Sequence, residues 1–151
     1  MKRNRIYTAI IPAVFAVDQA MKWTARRRAF GKQKPFKNKP GRSYRLLYSE
    51  NKGAALNMGS SVPMLVAAAS ILLCCVMTLV YIFTLGRAGK FFLKTGLSFL
   101  LGGAYSNTYD RLRRKYVTDY ISFNAGPAWF RNIVFNIADF AIMVGAVFIT
   151  L

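Results

Sequence analysis

The stretch VPMLVAAASILLCCVMTLVYIFTL, Val62 to Leu85, contains no charged residue. Wound as a helix at ~1.5 Å per residue, such a run crosses the ~30 Å hydrocarbon core of a bilayer. Such a run belongs to a chain embedded in a membrane. On either side of it three further apolar segments appear at roughly 6–23, 91–109 and 133–151, so that each of the four holds about 18 to 24 residues. The expected fold class is an all-α membrane protein of four transmembrane helices, with both termini on one side. At 151 residues there is no material for a second folded unit, and residues 1–151 form one membrane domain.

Composition agrees. Hydrophobic residues make up 54% of the chain while the net charge is +17, and long uncharged runs alternate with short basic blocks where a soluble domain would interleave its charges. Gly86 to Lys90 reads as a tight turn that makes the second and third helices antiparallel neighbours. The two large polar connections, about 24–61 and 110–132, then face the same side. The first includes the basic stretch Arg26 to Arg45 and a weak strand signal near Tyr44 to Tyr48. Cys74 and Cys75 are adjacent within an apolar run and offer neither an ordinary disulfide nor a metal-binding spacing. The first segment is not expected to be cleaved as a signal peptide, because Asp18, Gln19 and Lys22 interrupt its end and no small-residue cleavage site follows.

The chain has five acidic residues, and Asp18, Asp119 and Asp139 lie in or at the ends of apolar stretches. A carboxylate at membrane depth is costly unless paired, hydrated or protonated, so each marks a candidate site. Asn136 and Asp139, three apart, project from one face of the last helix, as Asn107 does with Asp110 and Arg111 on the third. Gly102 and Gly103 remove side chains where helices approach or a substrate backbone passes.

The chain holds no histidine, which excludes Ser-His and Cys-His pairs and the zinc motif H-E-x-x-H. A Ser-Lys pair is compatible with the composition, but no serine has a lysine placed convincingly inside a span. Two aspartates, Asp119 and Asp139, remain as the machinery, with no metal and no cofactor. Two neighbouring carboxylates share one proton. The charged one can take a proton from water attacking a peptide carbonyl while the protonated one donates to the developing oxyanion or the leaving amine. The sequence leaves open which of the two starts protonated.

Five blocks carry a resemblance: Asp18-Gln19-x-x-Lys22, Asn51-x-Gly53-Ala54-Ala55, Gly103-Ala-x-x-Asn107-x-x-Asp110-Arg111, Val117-x-Asp119 and Phe135-Asn136-Ile-Ala138-Asp139. In this order, over nearly the full chain, they resemble lipoprotein signal peptidase, the type II signal peptidase of bacteria. The resemblance implies a membrane aspartyl endopeptidase that removes signal peptides from prolipoproteins just before the diacylglyceryl-modified cysteine. Asp119 and Asp139 would be the catalytic pair. Asn51, Gly53, Gly103, Asn107, Arg111, Asn136 and Ala138 would hold the dyad or the substrate, and Asp18, Lys22 and Asp110 would give structural support. It further implies a small extracytoplasmic β-cradle after helix one and cytoplasmic termini in the bacterial inner membrane, with the active site near the extracytoplasmic face. Counting Lys and Arg, about fifteen on the large loops against about six on the other side, would put those loops in the cytoplasm; the implied topology is preferred. Leu56, Ser106 and Phe140 depart from the family pattern at positions expected to shape the substrate groove.

Prolipoproteins are the expected partners, with membrane phospholipid around the basic loop, no nucleic acid, and a monomeric state. Two competing readings are a catalytically silent relative that binds lipidated proteins and a small transporter. The transporter fits less well, since polar groups gather at one interface rather than at midspan. For Asp110 beside Arg111 a solvated loop pair is the plain alternative, and for Asp18 a pair with Lys22 at i, i+4.

Overall fold

Helix formation follows the apolar runs, with ends set by local chemistry. The computed structural model describes residues 2–31, 41, 43–54 and 58–151; Ala55, Leu56 and most of the basic loop lie outside the described residues. Helix α1 spans Lys2–Ala29, running past Trp23 because Arg26, Arg27 and Arg28 fall in its last turn, where cations suit the negative end of the helix dipole. Helix α2 spans Pro63–Leu85 and begins on a proline, whose missing N–H costs nothing there. Helix α3 spans Phe91–Arg114 and ends at Lys115 in the left-handed conformation, its N–H returning to the Arg111 carbonyl.

Three strands join these helices: β1 (Tyr44–Asn51), β2 (Val117–Phe123) and β3 (Val134–Phe135). They form one antiparallel sheet in the order β1-β2-β3. The fold is thus mostly helical with a small sheet. Among the described residues only β1 comes from the connection after α1, where the cradle was expected, whereas β2 and β3 come from the connection between α3 and the last helix. A single turn, α4 (Ala128–Arg131), lies between β2 and β3, and α5 (Ile137–Thr150) closes the chain. The last helix thus starts later than the apolar run predicts, because Val134 and Phe135 pair with β2. At 14 residues α5 is about 21 Å long.

Helix α3 lies at the centre and packs on α1, α2 and α5. Its seam with α5 is made of small residues. A Cβ added to Gly96 would lie 2.6 Å from the Gly145 carbonyl oxygen, and one on Gly145 would lie 2.6 Å from that of Gly96. Gly103 meets the Ala138 carbonyl oxygen in the same way. Gly96→Ala is expected to force these backbones apart and to cost about 1–3 kcal/mol, read as a lower melting temperature in detergent. An unchanged melting temperature would mean that the seam can open freely.

The polarity of the fold is inverted relative to a soluble protein. Met64, Leu65, Leu72 and Phe83 of α2 are 66–79% exposed, while Asp18, Lys22, Ser106, Asp110 and Asn136 have no exposed surface. A protein in water does not present so broad an apolar face. By length and composition, one described helix, Pro63–Leu85, is long and apolar enough to cross a membrane; α5 is apolar but shorter. At the opposite end from the sheet, the buried Lys94 ammonium donates to the carbonyls of Leu85 and Arg87 at 3.3 and 2.7 Å and to Asn4 Oδ1 at 3.3 Å. It thereby satisfies acceptors that the end of α2 leaves unpaired.

Candidate active site

Asn136 organises the site. As the N-cap of α5 it accepts the Asp139 N–H on Oδ1 at 2.9 Å, while Asp139 Oδ2 accepts the Asn136 N–H at 3.0 Å. This reciprocal capping box fixes the Asp139 side chain at the helix start. The Asn136 amide also donates to Asp119 Oδ1 at 2.6 Å and to Asn107 Oδ1 at 3.2 Å. One residue therefore binds both candidate acids. Asn107 of α3 donates to Asp139 Oδ1 at 2.9 Å, and Asn51, the last residue of β1, donates to Asp119 Oδ2 at 3.2 Å.

Asp119 is brought here by pairing: on β2 it stands opposite Ser49 of β1. Asn51 accepts the Gly53 N–H at 3.0 Å and donates to the Ala54 carbonyl at 3.3 Å, turning the chain over the site. Arg111 donates to the Gly53 carbonyl at 2.9 Å and ties that turn to α3. Both aspartates, with Asn51, Asn107 and Arg111, line a cavity of about 360 Å³ whose other wall is apolar, formed by Leu73 of α2 and Ile142 and Met143 of α5. Polar chemistry at the base and an apolar side wall suit an amide bond attached to a hydrophobic group.

Burial, and after it the negative charge of Asp139, push the Asp119 carboxyl up from its ordinary 3.8 to about 7; the Asn136 and Asn51 amides and the Lys22 ammonium act in the opposite sense. The folded state therefore holds a proton on Asp119 that the unfolded chain releases, and this contribution to stability is lost as pH rises from about 4 to about 7.

Behind the cavity lies a second, closed polar cluster. Lys22 pairs with Asp18 at 2.7 Å and Asp110 at 3.2 Å and donates to Asn107 Oδ1 at 2.8 Å. Asp110 is not a solvated partner of Arg111. It is fully buried and bound by Lys22, by Arg114 at 2.7 Å and, at 3.9 Å, by Arg26. Ala138 contributes its backbone N–H, which donates to Asp18 Oδ1 at 3.2 Å.

Sequence reasoning missed several members of this cluster. Ser106, expected to shape the groove, lies outside the cavity wall and donates to Asp18 Oδ2 at 2.6 Å. It is 3.5 Å from Lys22 Nζ, closer than the sequence suggests for any Ser-Lys pair. Both side chains are fully buried, and Lys22 is engaged by two carboxylates, so the serine is unreachable as a nucleophile. Phe140 likewise turns away from the cavity, into a cluster with Phe123 and Phe135 at 6.2 and 5.7 Å between ring centres. Gln19, which donates to Ser106 Oγ at 2.9 Å, Arg114 and Tyr120 also went unassigned. Their signal was arithmetic: buried Asp18 and Asp110 need more donors than Lys22 can supply.

Residues 10–151 match the family model described as "Signal peptidase (SPase) II". The chain is 30% identical to the lipoprotein signal peptidase of Brucella ovis over 97% of this chain and 89% of that protein. It is 32% identical to the lipoprotein signal peptidase of Clostridium novyi over 69% of this chain and 68% of that protein. Two solved structures, each described as a bacterial membrane enzyme, share the fold. One has a TM-score of 0.75 at 22% identity, covering 95% of this chain and 84% of that one. The other has a TM-score of 0.72 at 20% identity, covering 96% and 90%.

Proposed function

The chain belongs to the signal peptidase II family, and from that premise we propose how its own residues remove signal peptides from prolipoproteins. It is a membrane protein and an aspartic-type signal peptidase. In our reading Asp119 and Asp139 share one proton across the scissile bond. The ionised carboxylate takes a proton from water as the water oxygen bonds to the carbonyl carbon, and the protonated one donates to the carbonyl oxygen. As the tetrahedral gem-diol collapses the C–N bond breaks, the carboxyl that took the water proton passes it to the leaving amine, and a gem-diol hydroxyl returns its proton to the other carboxylate, so that the carboxylic acid product forms and the pair is again singly charged. The bond cut is the one just before the diacylglyceryl-modified cysteine, whose acyl chains lie against Leu73, Ile142 and Met143.

Within this reading Asn136, Asn107 and Asn51 orient the acids, Arg111 and Gly53 hold the turn over the substrate, and Gly103 and Ala138 allow α3 and α5 to meet closely. Asp18, Lys22 and Asp110 support them from behind. Helices α1, α2, α3 and α5 cross the inner membrane as one domain, with both termini cytoplasmic and the sheet forming an extracytoplasmic cradle. The outward apolar face and charged interior support this arrangement. The protein acts as a monomer, and the basic stretch from Arg26 meets phospholipid headgroups.

The observation that carries the proposal is the pair of acids joined through Asn136 at the base of a half-apolar cavity. Its test is cleavage of a purified diacylglyceryl-modified prolipoprotein by this protein in detergent. Cleavage is expected to decline as pH rises through about 7, where Asp119 gives up the shared proton. A folded sample without product would favour a silent lipoprotein binder, and a rate still climbing at pH 9 would exclude a shared proton on Asp119.

A further inference from the structure

Side chains alternate across a strand, so while Asp119 faces the cavity its neighbour Tyr120 turns to the opposite side of β2, where it is fully buried. The Tyr120 hydroxyl donates to Asp18 Oδ1 at 3.1 Å and accepts the Ile137 N–H at 3.1 Å. Ile137 is the first residue of α5, and the first N–H groups of a helix have no partner within it. The next, from Ala138, goes to Asp18 Oδ1 at 3.2 Å, and the third, from Asp139, goes to Asn136 Oδ1 at 2.9 Å. Three successive amides leading to Asp139 are thus tied down, the first of them by the residue adjacent to Asp119. Ser106 holds the other oxygen of Asp18 at 2.6 Å, so the carboxylate cannot turn away from Tyr120.

We propose that Tyr120 is a positioning residue for peptide-bond hydrolysis: its hydroxyl links the strand bearing Asp119 to the helix start bearing Asp139 and sets the separation and mutual orientation of the two carboxylates. This rests on the dyad reading given above. Tyr120 does not line the cavity; it acts through the backbone of Ile137 and through Asp18. Both acids must reach one water and one carbonyl, and a misplacement of about 1 Å can cost ~10²-fold in rate. A phenylalanine ring would fill the same space but leave the Ile137 N–H buried without its acceptor.

The test compares the full-length native protein with Tyr120→Phe, Ile137→Pro, the double variant and Asp139→Asn, using a purified diacylglyceryl-modified prolipoprotein in detergent. Ile137→Pro deletes the same hydrogen bond from the donor side. Proline is accepted at the first position of a helix, and Asn136 at φ −129°, ψ 173° already has the extended conformation that precedes proline. Each single variant is expected to lose about 10- to 100-fold in kcat with KM within about twofold. The pH profile should shift, because the coupling of the acids depends on their separation. The double variant should be little worse than Tyr120→Phe alone, because Ile137→Pro removes only a bond that Tyr120→Phe has already removed.

A folded Tyr120→Phe with native kcat, beside an inactive Asp139→Asn, overturns the positioning role and leaves the dyad standing. Losses that add in the double variant, with the native pH profile retained, overturn it too. An active Asp139→Asn overturns the dyad reading itself. Should Tyr120→Phe not fold, Ile137→Pro alone decides, with native kcat as the overturning result.

Discussion

Asp139→Asn, in a protein that remains folded, is expected to lose at least ~10³-fold in the rate of signal-peptide release, and Asp119→Asn a similar amount. Positioned proton transfer contributes typically 10²–10⁴-fold, and each substitution removes one of the two groups between which the proton must move. Asparagine keeps the size of the side chain and one acceptor oxygen. The bond from Asn107 at 2.9 Å or the capping bond from the Asn136 N–H at 3.0 Å can therefore survive at position 139. The loss should accordingly appear in kcat with little change in melting temperature. Peptide release should be followed for both variants beside the native enzyme. If either works at more than a tenth of the native rate, a single carboxylate suffices and the two-acid mechanism is wrong.

Lys22→Met is expected to lower stability by about 3–5 kcal/mol, the range for removing one partner of a buried ion pair. The Lys22 ammonium has no exposed surface and lies 2.7 Å from Asp18 and 3.2 Å from Asp110. Asp110 would keep Arg114 and Arg26, but among the described residues Asp18 would keep only neutral donors, from Ser106, Tyr120 and Ala138. The uncompensated charge falls on Asp18, next to the start of α5. Thermal unfolding in detergent measures it, and an unchanged midpoint would mean that the fold does not depend on the Lys22–Asp18 pair. Lys22→Met with Asp18→Asn should recover part of the loss, since the pair is then removed together.

Much of this arrangement was legible in the sequence. The four apolar runs located the three long helices and the shorter α5, because a largely apolar stretch has few alternatives in a membrane. Asp119 and Asp139 stood out because carboxylates beside apolar runs demand partners, Asn107 and Asn136 because helical spacing puts them on one face with an acid, and Asn51 only through the motif that carries the family resemblance. The sheet was legible only in part, as a weak strand signal near Tyr44 to Tyr48 and as the cradle that the family resemblance implies. Val117 to Phe123 looked like part of a polar loop, and its strand depends on Tyr44 to Asn51, a partner more than sixty residues away. The start of α5 was misjudged for a related reason: Val134 and Phe135 are apolar enough for a span, yet backbone pairing with Ile121 and Ser122 claims them. Ser106 was assigned to the groove instead of to Asp18 and Tyr120 was given no role, because nothing in their spacing shows what a hydroxyl meets on another element. Only a count of the donors that Asp18 requires would have pointed to them.

The bonds around Asp18 also bear on the order of events during synthesis. The grip of Lys94 on Arg87 spans seven positions and can form once the α2–α3 hairpin has left the ribosome. The contact from Ala138 to Asp18 spans 120 positions, and the one from Tyr120 spans 102. The nascent chain therefore gains its scaffold early and its cutting power last, when the final helix docks against residues made at the beginning. A truncated translation product would leave in the membrane a hairpin of helices without a blade.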